Sequence, residues 1–205
     1  MKKTIALLII LTFSVGTYSQ SKKQIQQFEK YKSDNRFEQD EQNIVVSKVI
    51  ENVEGSKEDI YIKVKSFFAH NYNDANSVIQ TDDKEKGIII GKGIFSNLKK
   101  WTDLFGNTSV LGAYHILRVD IKEGRIRVIC NANEWNLVAS GSKYKNADIK
   151  DGLIVNHAPF TKKSFADRGK QTEAFVLMVD RMHNIIENLE KSLFEGNLKV
   201  ENEDW

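Results

Sequence analysis

A single cysteine and a single proline occur in 205 residues, and neither sign of charge dominates, with 30 Lys and Arg against 28 Asp and Glu. With only Cys130 present, no intramolecular disulfide can form. Long apolar runs are missing too. The longest spans Ile5 to Val15, about eleven residues against the ~20 that a membrane-crossing helix needs. Catalytic signatures are equally scarce. There is no Gly-x-Ser-x-Gly elbow, and His70, His115, His157 and His183 show none of the short spacings that place two metal ligands on one helix face.

The short apolar run has a meaning of its own. Lys2 and Lys3 precede it and Thr17-Tyr18-Ser19 follow it as a small-x-small cleavage site, the three parts of a secretion signal. We therefore expect a signal peptide over 1–19 and an exported chain, periplasmic or extracellular, starting near Gln20. An uncleaved anchor is the rival reading, which the polar sequence from Gln20 onward disfavours. No cysteine near Ser19 offers a lipid attachment point. Removing Lys2 and Lys3 leaves 28 basic residues against 28 acidic ones, so the precursor's basicity gives no argument for nucleic acid.

Residues 20–41 read as a polar leader, partly helical, ahead of one α+β domain over 42–196, with an acidic tail at 197–205. Ile44 to Ile50 is a β-branched strand candidate. Ser56 and Asp59 resemble a capping box opening a helix to about Asn71, whose Ile60, Val64, Phe67 and Phe68 share one stripe. Strands are expected at Val78 to Thr81, Gly87 to Phe95, Tyr114 to Ile121 and Arg125 to Ala132. Asp82 to Lys86 form the first turn, and Lys122-Glu123-Gly124 the tight hairpin. After Trp135 the chain reads as mixed and polar up to Pro159, followed by a basic loop.

A long helix from about Thr172 to Phe194 carries a stripe of Phe175, Met178, Val179, Met182, Ile185, Ile186, Leu189 and Leu193, and Gly196 ends it. The order is β-α-β-β-β-β-α, an antiparallel sheet with both helices on one face.

The opening strand with Ser56-Lys57-Glu58-Asp59, the Asp82-Asp83 turn before Gly-Ile-Ile-Ile-Gly-Lys-Gly, the Ile-Lys-Glu-Gly-Arg-Ile-Arg hairpin and Ala158-Pro159-Phe160 resemble a bacterial family of unknown function described as having a TATA-binding-protein-like fold. The resemblance covers Val45 to Leu193. It implies that fold and commonly exported members, with no established activity or functional residue. Asn97 to Gly112 is long for the family's connection between these strands.

Gly91-Lys92-Gly93 lacks the rest of a phosphate loop and lies in a strand, where the two glycines would let a helix backbone pack closely. Cys130 alternates with Ile126, Val128 and Ala132 and reads as core filler. Asp82 and Asp83 read as turn formers. No cofactor, metal or catalytic residue is expected.

Two surfaces stand out. Leu98 to Gly106 places Trp101 and Phe105 in a connection that either folds back as a short helix or offers them as anchors to a partner. If Gly91 and Gly93 face the helices, Ile88, Ile90, Ile94, Ile116 and Ile129 lie on the other face of the sheet. There the leader or the segment after Trp135 covers them, or a partner does. The function expected is a non-catalytic binding or assembly module of the cell envelope, docking a protein or a second copy of itself. The alternatives are a small envelope hydrolase without a recognisable motif and a purely structural homo-oligomer.

Overall fold

Strands that alternate apolar and polar side chains can seal one face of a sheet and must leave the other to something else. That pattern organises the computed structural model of this chain, which describes residues 22–72, 78–140, 147–161 and 165–195. The expected signal peptide, the acidic tail and Gly196 lie outside the described residues, as do Lys162 and Lys163 of the basic loop.

The elements are helix α1 (22–33), strands β1 (Glu38–Gln39) and β2 (Ile44–Glu51), helix α2 (Lys57–Asn71), strands β3 (Ile79–Asp83), β4 (Ile88–Thr102), β5 (Thr108–Lys122), β6 (Arg125–Ser140) and β7 (Ala147–Leu153), and helix α3 (Phe165–Glu195). All pairings are antiparallel, in the order β1-β2-β6-β5-β4-β3, and β7 pairs with the end of β6 beyond β2. The α+β class, the antiparallel sheet and helices on one face follow the sequence reading.

Local chemistry explains the boundaries. Ser56 accepts from the Asp59 amide while Asp59 reaches back to the Ser56 N–H, the capping box that opens α2. Gly124 turns the β5–β6 hairpin at φ 68°, a conformation that only glycine adopts without strain. Along β5 and β6 the register sets Leu117 beside Cys130, Val119 beside Val128 and Ile121 beside Ile126, all buried. Against them pack Ile60, Val64, Phe67 and Phe68 of α2 and Phe175, Met178, Val179, Met182, Ile186, Leu189 and Leu193 of α3. Burial of such side chains contributes roughly 1.5–3 kcal/mol each.

The structure corrects four expectations. Residues 20–41 are more than a leader. Helix α1 buries Phe28 and Tyr31 in the common core, Phe28 meets the Phe175 ring at 5.6 Å, and the Tyr31 hydroxyl donates to Asp180 at 2.7 Å. Second, the stretch after Trp135 continues the sheet: β6 runs on to Ser140 with Trp135 fully buried, and β7 pairs beside it. The alternation of β6 is broken at Asn133, an extra residue where Glu134 pairs with Tyr114 and Ala132 with His115, which hid the continuation.

Third, Leu98 to Thr102 is strand and not a helical fold-back. β4 passes a bulge between Phe95 and Lys99, where Asn97 sits at φ 54°, and then re-pairs with β5 up to Thr102 opposite Thr108. Fourth, Asp82 does more than form a turn. It lies within β3, accepts from the Tyr61 hydroxyl and pairs with Lys65 at 2.6 Å, pinning α2 to the edge of the sheet.

Candidate functional site

The face of the sheet away from the helices is built from the alternate residues of four long strands. Rows across it read Ile88, Asp120, Arg127 and Val49; then Ile90, Arg118, Ile129 and Ser47; then Lys92, Ile116, Asn131 and Val45. The five isoleucines therefore share one face, as the alternation predicts. Ile88, Ile90 and Ile129 are half-buried among their neighbours, while Ile94 and Ile116 stay 43% and 39% exposed. Val49, not singled out from the sequence, joins them at 51%. Its signal was present: it stands one residue out of phase with Val46 and Ile50, which are buried on the other face.

No described helix lies on this face. Helix α1 joins α3 through Gln24 to Glu173 at 2.8 Å and through Tyr31, and β7 extends the sheet edge-on. Among the described residues, then, neither segment proposed as a cover fills that role.

The charges on this face are tied to each other. Asp120 accepts from Arg118 Nε at 2.8 Å and from Arg127 Nη2 at 2.6 Å, and Arg125 lies 3.7 Å from Glu51. Partial burial alone would raise the Asp120 pKa, but the hydrogen bonds from Arg127 and Arg118 outweigh it and hold the carboxyl below its ordinary range. One carboxylate shared by two guanidinium groups leaves this end of the face net basic. A shallow hollow of about 220 Å³ opens there, lined by Val49, Asp120, Lys122, Arg125, Ile126 and Arg127.

The second sequence-marked segment divides. Leu98 is buried, Trp101 is half-buried with the Lys170 ammonium 4.8 Å from its ring centroid, and Phe105 stands 86% exposed beside a fully exposed Leu104 (100%) at the β4–β5 tip. The structure does not bring this tip together with the isoleucine face as a single site.

The histidines and the cysteine lie in the helix-covered core or contact backbone carbonyls. His115 is buried on the core face of β5. Its Nε2 is 3.0 Å from the Tyr72 hydroxyl, its ring stacks on Phe95 at 3.9 Å, and Nδ1 has no partner. Burial lowers its pKa to about 4, so the ring is neutral at ordinary pH. Strand parity gives this residue away, since it alternates with Leu117 and Val119. Burial pushes the Cys130 thiol well up, which fits its reading as core filler. His70, His157 and His183 each sit 2.8–2.9 Å from a backbone carbonyl. No group of three or more metal-ligating side chains occurs among the described residues.

Gly91 and Gly93 do face the helices, but what approaches them is side chain and not helix backbone. A Cβ at Gly91 would lie 2.5 Å from the Phe68 ring, and one at Gly93 2.6 Å from His115 and 2.7 Å from Tyr72. The glycine pair cradles three rings.

An antiparallel sheet with its helices on one face is the fold that the sequence resemblance implies. Residues 46–131 match the family described as "Domain of unknown function (DUF4468) with TBP-like fold". The match runs from Val46 in β2 to Asn131 in the first half of β6, and so takes in the parts of the strands that carry the open face. In the solved crystal structures, a TBP-like protein from Parabacteroides distasonis aligns with a TM-score of 0.53 at 13% identity, over 76% of this chain and 97% of its own. A DUF4468 family protein from Bacteroides ovatus aligns with a TM-score of 0.49 at 14% identity, over 82% and 94%. The first supports the TBP-like fold. No curated protein matches the chain.

Proposed function

We propose that this DUF4468-like chain is an exported, non-catalytic binding or assembly module of the bacterial envelope, and that its open sheet face docks a protein partner or a second copy of itself. One observation carries the reading: a sheet face that carries Val49, Ile94 and Ile116 exposed and Ile88, Ile90 and Ile129 half-buried, with Arg118 and Arg127 set among them and Arg125 at its end, lies uncovered by any described helix. Exposed apolar side chains together with arginine are enriched at protein interfaces. The envelope location rests on the Lys2 to Ser19 signal pattern. A hydrolase needs an ionisable nucleophile and a base at an accessible cleft, whereas Cys130 and His115 are sealed in the core.

The test is the double substitution Ile90→Lys with Ile94→Lys. Neither side chain belongs to the buried core, so the domain should stay folded, as circular dichroism would report. Self-association, measured by sedimentation, or capture of a crosslinked partner should be lost. Association that survives in a folded double variant would move the interface off this face.

A further inference from the structure

The β4–β5 hairpin ends in a turn that the docking face does not use. Leu104 and Phe105 stand at its tip, 100% and 86% exposed. Two adjacent large apolar side chains held wholly in water are costly unless something receives them. The turn is also stiff. The Asp103 carboxylate accepts from the Phe105 amide at 2.8 Å, the Asn107 amide at 2.9 Å and the Asn107 side-chain amide at 2.9 Å. Backbone bonds from Gly106 to Asp103 and from Asp103 to Asn107 close it, and the Thr102 and Thr108 hydroxyls meet at 3.0 Å just below.

The residues behind the tip are graded by polarity. Next inward comes Trp101, half-exposed, with the Lys170 ammonium over its ring on the helix side, while exposed Lys100 points to the other side of the arm. An apolar point, then an indole, then ammonium groups is the order in which a membrane surface presents acyl chains, interfacial region and anionic headgroups. Asp103 stays anionic, and the turn's own donors, the Asn107 and Phe105 amides, engage its carboxylate. No helix among the described residues is long and apolar enough to cross a membrane.

We propose that the β4–β5 tip is a membrane-surface anchor, inserting Leu104 and Phe105 into the interface of a bilayer containing anionic lipid, with Trp101, Lys100 and Lys170 at headgroup level. This stands apart from the docking reading of the open face, and either can fail without the other.

The experiment uses the full chain with sucrose-loaded vesicles, either of phosphatidylcholine alone or of an equal mixture with phosphatidylglycerol. The double variant Leu104→Ser with Phe105→Ser should partition to mixed vesicles at least about ten-fold less than the parent, with an unchanged melting temperature. A second variant, Phe105→Trp, should show added fluorescence quenched by brominated lipid, which places the tip at the bilayer independently of any binding by residues 5–15. Equal partitioning of parent and double variant, or no lipid quenching at position 105, overturns the proposal. So does loss of binding to a protein partner with vesicle binding intact, which would make the tip an anchor for a protein pocket.

Discussion

The two faces of this sheet are made by the same strands and differ by one residue of phase. Leu117 is fully buried and its neighbour Ile116 is 39% exposed. On the helix side, polar groups are few and poorly served: His115 has an unpartnered Nδ1, and Trp135 Nε1 also lacks a partner. On the open side they are abundant and satisfied, with Asp120 shared between Arg118 and Arg127. The inner face is thus optimised for packing, and what it contains is hard to change. The outer face has settled electrostatics and exposed apolar area, and substitutions there leave the packed core untouched.

The sharpest way to break the contrast is to crowd the inner face. Gly91→Val puts a branched Cβ where 2.5 Å separates it from the Phe68 ring, which is itself fully buried and has nowhere to retreat. We expect a loss on the order of 3 kcal/mol or more, read as a fall in denaturant midpoint. A well-folded variant of parental stability would show that α2 is free to move off the sheet.

Acid should expose the same face next. His115 titrates at about 4 in the folded protein and at its ordinary 6.5 when unfolded, so between these values the unfolded chain binds the extra proton. Stability therefore falls as pH drops through that window. The parent should lose about 3 kcal/mol more than His115→Leu between pH 7 and pH 4. Urea midpoints against pH for the two proteins measure it, and parallel curves would mean that His115 gains a partner when charged.

Much of this was legible in the sequence, because period-2 alternation and helical stripes are local. The Ile126-Val128-Cys130-Ala132 face, the α3 stripe from Phe175 to Leu193 and the Ser56–Asp59 cap all follow from spacing alone. What was not legible came from interruptions and long-range contacts. The bulge at Asn97 and the extra residue Asn133 break the alternation of β4 and β6, so the pattern stops at Phe95 and Ala132. Helix α1 has few apolar residues, and its place in the core depends on Phe28 meeting Phe175 and on Tyr31 reaching Asp180, contacts 147 and 149 residues apart in the chain. The tip was flagged for Phe105, but its rigidity comes from Asp103 and Asn107, which read as ordinary loop residues.

The smallest effect should come from the outer face. Ile116→Thr keeps a β-branched side chain, and so the strand preference of β5, while trading an apolar ethyl group for a hydroxyl that reaches water at a position 39% exposed. Its cross-strand neighbours Lys92 and Asn131 are polar and can accept the change. Stability should move by no more than about 0.5 kcal/mol, as for a surface substitution. If the face docks a partner, however, the same substitution should weaken that association several-fold, because Ile116 lies at the centre of the apolar patch. Measured together by thermal melting and sedimentation, the two numbers separate the readings. A fall of 2 kcal/mol or more, on the scale of core truncation, would mean that part of this chain covers the face and that the open sheet is internal.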